Sequence, residues 1–423
     1  MEAADLSPVP ESARTQPAFD LFLIFAAANV VATTMQTGAV LGRSYGNTNA
    51  LFVVMAGAVF GALLVALLAP VGSRSGVPSM IAARAPLGLY GARVVAALLY
   101  LTNFAWIAVN NTIAASVCAQ VLGGGTSSSA RYWAAALGVA ATAIVAKGPR
   151  AVGLADRIAV PMMVVAGSVL TWSAFSLPAA VIPAAQSESA PPLLWGLDVV
   201  IGYQVSWMLM FADYSRYTKS GNKAATAVFA GLGLPALWLM PLGWTLARVA
   251  GSDDPGTMLT AAGVGVWTAV LVALATVTTN FVNIYLSSLA WRTLVPQTSS
   301  AVSVWTIGLI GTALGLLSSV WLNRFAELMV LLGSVLVPIG GVFLAHFVVL
   351  RKRVNVEAVY ATDRLPRFNL NGIAAWALGF AVYKLAAPIG ATLPALGTSI
   401  VVYLALSLWH PAPEAPGTSP LAP

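Results

Sequence analysis

Charge is scarce in this chain. Only 8% of its 423 residues are Asp, Glu, Lys or Arg, against about 25% in soluble domains, so an aqueous globular fold is excluded. Cys118 stands alone, which rules out an intramolecular disulfide or a cysteine cluster. The two histidines, His346 and His410, are far apart and show no metal-ligand spacing. No Walker-type or dinucleotide fingerprint occurs, which argues against ATP-driven transport within the chain. The stretch before the first apolar run has no basic n-region and no small-residue cleavage site, so no cleaved leader is expected.

Apolar residues are abundant instead. They make up 59% of the chain, and the mean hydropathy is +0.84. A spanning helix needs roughly 20 apolar residues. On that scale about twelve spans are predicted, over 18–42, 49–72, 94–122, 132–146, 158–177, 193–212, 224–247, 264–290, 302–321, 325–350, 371–387 and 392–409. The expected organisation is a cytoplasmic segment over 1–17, one all-α membrane domain over 18–410, and a Pro-rich, disordered cytoplasmic tail over 411–423. Lys and Arg divide about sixteen to five between alternate connections. By the positive-inside rule that split puts both termini in the cytoplasm of a multi-pass plasma (inner) membrane protein. The net charge of +7 is therefore a topology signal and not a nucleic-acid patch.

Polar residues inside the apolar runs carry the functional reading, because hydrocarbon tolerates them only against protein or a wet cavity. The middle of 264–290 reads Thr276-Val277-Thr278-Thr279-Asn280-Phe281-Val282-Asn283. All five of its polar side chains are neutral, as suits a dehydrated alkali cation or an uncharged solute. The first span carries Asn29, Thr33, Thr34 and Gln36. In the third, Asn103, Trp106 and Asn110 fall at i, i+3 and i+7 and share a helix face. The sixth holds Tyr203, Gln204, Ser206 and Trp207. An indole face among amides suits a flat neutral heterocycle, stacked and hydrogen-bonded at its edge. The blander reading makes Trp106 and Trp207 packing residues, and Thr278, Thr279, Asn111 and Thr112 interhelical glue.

The coupling ion is read from the acids. Asp20, Asp156, Asp198, Asp213 and Glu327 all fall near predicted span ends. A proton-coupled carrier usually embeds a carboxylate or histidine at the site, whereas neutral oxygens can replace the hydration shell of an alkali ion. Sodium is the expected ion, with the proton as its competitor.

These residues resemble the nucleobase–cation symporter-1 family, and within it the bacterial cytosine permeases. The resemblance lies in Pro8-Val9-Pro10-Glu11-Ser12-Ala13-Arg14, in the Gly72–Gly91 stretch GSRSGVPSMIAARAPLGLYG, in Ala212-Asp213-Tyr214-Ser215-Arg216-Tyr217 and in Thr278-Thr279-Asn280. It implies ten helices in two inverted five-helix repeats of the leucine-transporter type, followed by two more. The first and sixth spans would be unwound mid-membrane, although the first has no Gly or Pro at its expected break. The resemblance also implies sodium held by the carbonyls of Ala27, Val30 and Ala275 and the hydroxyls of Thr278 and Thr279.

Carried over in the same way, Trp106 stacks on the base, Asn103 stands at the amide one turn earlier, and Tyr203, Gln204 and Ser206 contact the solute. Asn110, Asn280 and Asn283 complete the expected substrate set. Two aromatic positions of cytosine permeases correspond to Val31 and Gln204, so other pyrimidines, purines, allantoin- or hydantoin-like rings and a thiamine-precursor pyrimidine stay open. The function implied is sodium-coupled symport of such a heterocycle, with no enzymatic activity, no cofactor and no obligatory protein partner. An intramembrane enzyme or a non-transporting receptor is the rival from another class.

Overall fold

In the computed structural model, which describes residues 6–45, 48–122, 125–176, 191–295 and 297–409, the first span is broken. Helix α1 (Ala18–Asn29) meets α2 (Ala32–Ser44) at 52°. Val30 (φ −82°, ψ 64°) and Val31 (φ −141°, ψ 159°) leave the helical region between them. Side chains satisfy part of the freed backbone, as burial in a membrane protein demands. Thr34 Oγ1 donates to the Asn29 carbonyl at 2.6 Å, and Asn29 Nδ2 donates to that of Phe25 at 3.3 Å. The break needs neither glycine nor proline.

The remaining helices follow in order. They are α3 (Thr48–Ala66), the short α4 (Ala69–Ser75) and α5 (Ser79–Ala82), α6 (Arg84–Leu122), α7 (Ser127–Ala146), α8 (Pro149–Ser176) and α9 (Leu193–Val205). After α9 the sixth span tightens into a 3-10 segment, Ser206–Met210, and then a turn. Beyond it come α10 (Gly221–Ala250), α11 (Pro255–Ala261), α12 (Val266–Leu294), α13 (Ser300–Gly315), α14 (Ser318–Asn323) and α15 (Phe325–Phe343). Helix α15 continues through a π-helical turn, Leu344–Val349. The chain closes with α16 (Val356–Tyr360), α17 (Leu370–Ala386) and α18 (Thr392–Trp409).

Among the described residues nine helices are long and apolar enough to span, the bent pair makes a tenth, and Pro161–Ser176 and Ser300–Gly315 are shorter apolar helices. These correspond to the twelve predicted runs. Boundaries moved where local chemistry intervened. The third span, α6, starts earlier than residue 94, with Gly88 (φ 79°, ψ 176°) marking a kink near its beginning. The ninth span ends at Gly315, and 318–323 is a separate helix. The predicted tail, 411–423, lies outside the described residues.

Backbones approach closely where glycine permits it. A Cβ on Gly38 of α2 would overlap the Met240 carbonyl of α10, and one on Gly243 of α10 would overlap that of Met35 in α2. Between helices in lipid, such close packing replaces the hydrophobic drive of water-soluble cores. The N-terminal segment is bound to the end of the same bundle. Val9 N donates to Gly76 O (2.9 Å), Gln16 N to Tyr217 O (3.0 Å) and Arg14 to Ser73 O (2.9 Å).

Asp198, expected near a span end, is 2% exposed inside α9. Its carboxylate accepts from Ala391 N and Thr392 N, both at 2.8 Å, and so caps the start of α18 from another helix. In Asp198→Asn an NH2 group would face one of those N–H donors. A loss of about 1–3 kcal/mol is expected, seen as a lower melting temperature of the purified protein. An unchanged melting temperature would remove the cap from the account.

Candidate functional site

The broken first span, the sixth span where it tightens into its 3-10 segment, and helices α6 and α12 converge on one cavity. Ala28 comes from the end of α1 and Thr33 from the start of α2. Asn103, Trp106 and Asn110 come from α6, Thr279 and Asn283 from α12, and Tyr203, Ser206, Trp207 and Met210 from the sixth span. No charged side chain lines it. Its volume is about 40 Å³, room for a few waters and far below the roughly 300 Å³ at which ligand pockets begin. Solute entry therefore requires the lining helices to separate. A wider depression of about 360 Å³ lies between α8 and α10, lined by Ser168, Thr171, Trp172, Phe175 and Trp238. It is open, and Trp172 and Phe175 are among the most exposed rings in the chain, so it belongs to the outer apolar face.

Inside the cavity the aromatic groups are ordered by packing. Tyr203 meets Trp106 edge to face at 5.6 Å and 85°. The Tyr203 hydroxyl is bonded to Thr34 Oγ1 at 2.7 Å and lies 3.5 Å from Thr33 Oγ1, so the ring is pinned to the break in the first span. Trp207 meets Phe25 of α1 at 5.7 Å and 67°. Two amides remain unsatisfied although buried. Among the described residues Asn103 Nδ2 and Asn110 Oδ1 have no hydrogen-bond partner, and leaving such atoms bare costs about 1–3 kcal/mol each. They stand two turns apart on α6, about 10 Å along its axis, with Trp106 between them.

Six of the nine predicted substrate residues line this cavity: Trp106, Asn103, Asn110, Tyr203, Ser206 and Asn283. Three do not. Gln204 is fully buried; its amide Nε2 donates to the Leu232 carbonyl of α10 at 3.4 Å, and its stem packs on Gly61 of α3. Asn280 donates to Asn111 Oδ1 (2.8 Å) and to Ile107 O (3.2 Å), tying α12 to α6. Val31 is 2% exposed at the break but is not in the lining. In this arrangement the three lie outside the lining: helix phase turns Gln204 and Asn280 toward neighbouring helices, and Val31 sits in the extended break between α1 and α2. Thr112 likewise bonds the Gly315 carbonyl of α13 at 3.2 Å.

The five predicted sodium ligands sit at the α1 end and mid-α12. Thr278 Oγ1 donates to the Ala275 carbonyl at 2.7 Å, which leaves its lone pairs available to a cation. Thr279 shares the cavity with Ala28, the neighbour of Ala27. Thr276 turns back to Val272 O at 2.7 Å. The donor set is neutral oxygen throughout, a chemistry that fits an alkali ion.

Trp207, Met210, Ala28 and Thr33 were not in the predicted set. A signal for the first two existed: Tyr203, Ser206, Trp207 and Met210 follow the i, i+3, i+4, i+7 pattern of one helix face.

Comparison with known proteins gives the family and the fold. The family profile described as "Permease for cytosine/purines, uracil, thiamine, allantoin" matches residues 8–404. The chain belongs to that permease family. It is 26% identical over 377 residues to the cytosine permeases of Escherichia coli K12 and O157:H7, covering 88% of this chain and 87% of theirs. Its fold is that of Mhp1, a nucleobase-cation-symport-1 family transporter. The TM-score is 0.76 to the closed form with bromovinylhydantoin bound and 0.80 to the inward-facing form, at 17% identity and more than 90% coverage of each chain. A Na+-coupled sialic acid symporter is similar at TM-score 0.63 and 10% identity. The chain is thus a membrane permease and not an enzyme.

Proposed function

We propose that this permease is a secondary active symporter that imports a nucleobase or related neutral heterocycle together with sodium, by alternating access. A cytosine-like pyrimidine is the favoured solute. The observation that carries this reading is the pair of unpartnered amides, Asn103 and Asn110, flanking Trp106 in a cavity without charge. Each amide offers a donor and an acceptor, which matches the alternating edge of a pyrimidine. Trp106, Tyr203 and Trp207 supply ring surface, and the neutral lining favours a solute that brings no charge of its own. Sodium at Ala27, Val30, Ala275, Thr278 and Thr279 would join α1 to α12, so its binding favours whichever arrangement holds those two helices together. Separation of the lining on one side and then the other would load and release the solute. The charge split supports a plasma-membrane location with both termini on the cytoplasmic side.

Proteoliposomes test this directly. Preloading with unlabelled cytosine should accelerate entry of labelled cytosine, a counterflow that a receptor cannot show. Replacing external sodium by choline at constant pH should then lower net uptake at least about tenfold. Absence of counterflow across a panel of nucleobases, hydantoins and thiamine-precursor pyrimidines would sink the carrier reading. Undiminished uptake in choline would leave the carrier and replace sodium by the proton.

A further inference from the structure

A second site lies where the third span begins. Residues 366–369, in the connection between α15 and α17, lie against the start of α6. Leu89 N donates to Pro366 O (3.0 Å), Tyr90 N to Arg367 O (2.8 Å) and Asn369 N to Leu87 O (2.9 Å). Gly88 makes the approach possible, because a Cβ there would press on the backbone of Phe368 and Asn369. The Tyr90 and Phe368 rings are thereby brought to 5.8 Å. One turn further along α6, the Arg93 guanidinium folds over the Tyr90 ring, 5.1 Å from its centroid. Helical side chains lean toward the N-terminus, so this cation returns toward the end of the span.

We propose that Arg93 and Arg367, with the Tyr90 and Phe368 rings, form a binding site for an anionic phospholipid. Neither arginine pairs with a carboxylate among the described residues; the ion pair on this connection is Arg364 with Asp363 at 4.0 Å. The same connection adds exposed Arg351, Lys352 and Arg353 against Glu357 and Asp363, so its field is positive. Guanidinium binds phosphate oxygens in bidentate fashion. Immediately beside the cations, Tyr90 (36% exposed), Val94 (42%), Phe368 (47%) and Leu370 (74%) offer an apolar strip. Cations and apolar side chains side by side at the start of a span match a phosphate headgroup and its acyl chain. A soluble anion would use only the cations.

Native mass spectrometry of the purified protein, incubated with equal amounts of phosphatidylglycerol and phosphatidylcholine, tests the proposal. Phosphatidylglycerol should be retained at least about fivefold over phosphatidylcholine. The double variant Arg93→Gln/Arg367→Gln should bring that ratio below about twofold, while Arg131→Gln, on α7, should not change it. Equal retention of the two lipids, or a preference that survives the double variant, overturns the site. Displacement of the lipid by millimolar glycerol phosphate would show that the arginines read phosphate alone, and the lipid assignment would fall. Should the double variant misfold, Phe368→Ser keeps both cations and removes the ring. Retention should then drop at least about twofold, and unchanged retention rejects the proposal.

Discussion

Trp106→Ala is expected to raise the half-saturating solute concentration about 5- to 140-fold, and the upper part of that range abolishes saturable uptake in an ordinary assay. Stacking of a base on an aromatic face is worth about 1–3 kcal/mol by alanine substitution, and 1.4 kcal/mol is tenfold in affinity. Trp106 stands between the cavity-lining amides Asn103 and Asn110, half-buried, with Tyr203 holding its ring edge to face. Alanine removes the stacking surface and also lets the pinned Tyr203 ring move. Trp106→Phe, which keeps an aromatic face, should recover most of the affinity. Radiolabelled uptake, normalised to protein in the membrane, separates this from loss of expression. Unchanged kinetics in the alanine variant would remove Trp106, and with it this cavity, from the transport pathway.

Gly38→Ala is expected to be severely destabilising although it adds one methyl group. The added Cβ would overlap the backbone carbonyl of Met240, and a backbone cannot rotate out of the way as a side chain can. Overpacking costs about 1–3 kcal/mol when side chains give, so at least about 3 kcal/mol is expected here. Gly243 makes the reciprocal contact with Met35, so relief at one crossing point is blocked by the other. Gly397→Ala provides the control, because no atom lies within 4 Å of its added Cβ. It should be neutral or slightly stabilising in α18. Fluorescence-detected gel filtration and thermal unfolding should show aggregation or a much lower melting point for Gly38→Ala alone. Equal behaviour of the two variants would mean that α2 and α10 are less tightly packed than described.

Some of the site was readable because helical periodicity is local. Asn103, Trp106 and Asn110 share a face by spacing, and the cavity opens on that face. Applied to the sixth span, the same spacing would have chosen Trp207 and Met210 with Tyr203 and Ser206. It would have turned Gln204, one residue on and about 100° round the helix, toward its packing neighbours. In the eighth span Thr279 and Asn283 fall one turn apart on the cavity side. Asn280 is rotated off that side and bonds to Asn111. Residue type suggested an equal role for all these amides, and helix phase divided them into cavity lining and interhelical ties.

Composition and apolar run length alone determined that the chain is a many-span helical membrane protein, because hydrocarbon admits few other backbone solutions. The order of its polar residues also pointed to a neutral solute. Where the first span breaks was decided only by the assembled structure, since the β-branched Val30 and Val31 disfavour a helix only weakly and Thr34 and Asn29 satisfy part of the backbone around them. Tertiary contacts likewise decided that Asp198 caps a distant helix and that Gly38 admits no side chain. Each of these depends on which atoms of another helix lie opposite, and that is a property of packing which no local pattern encodes.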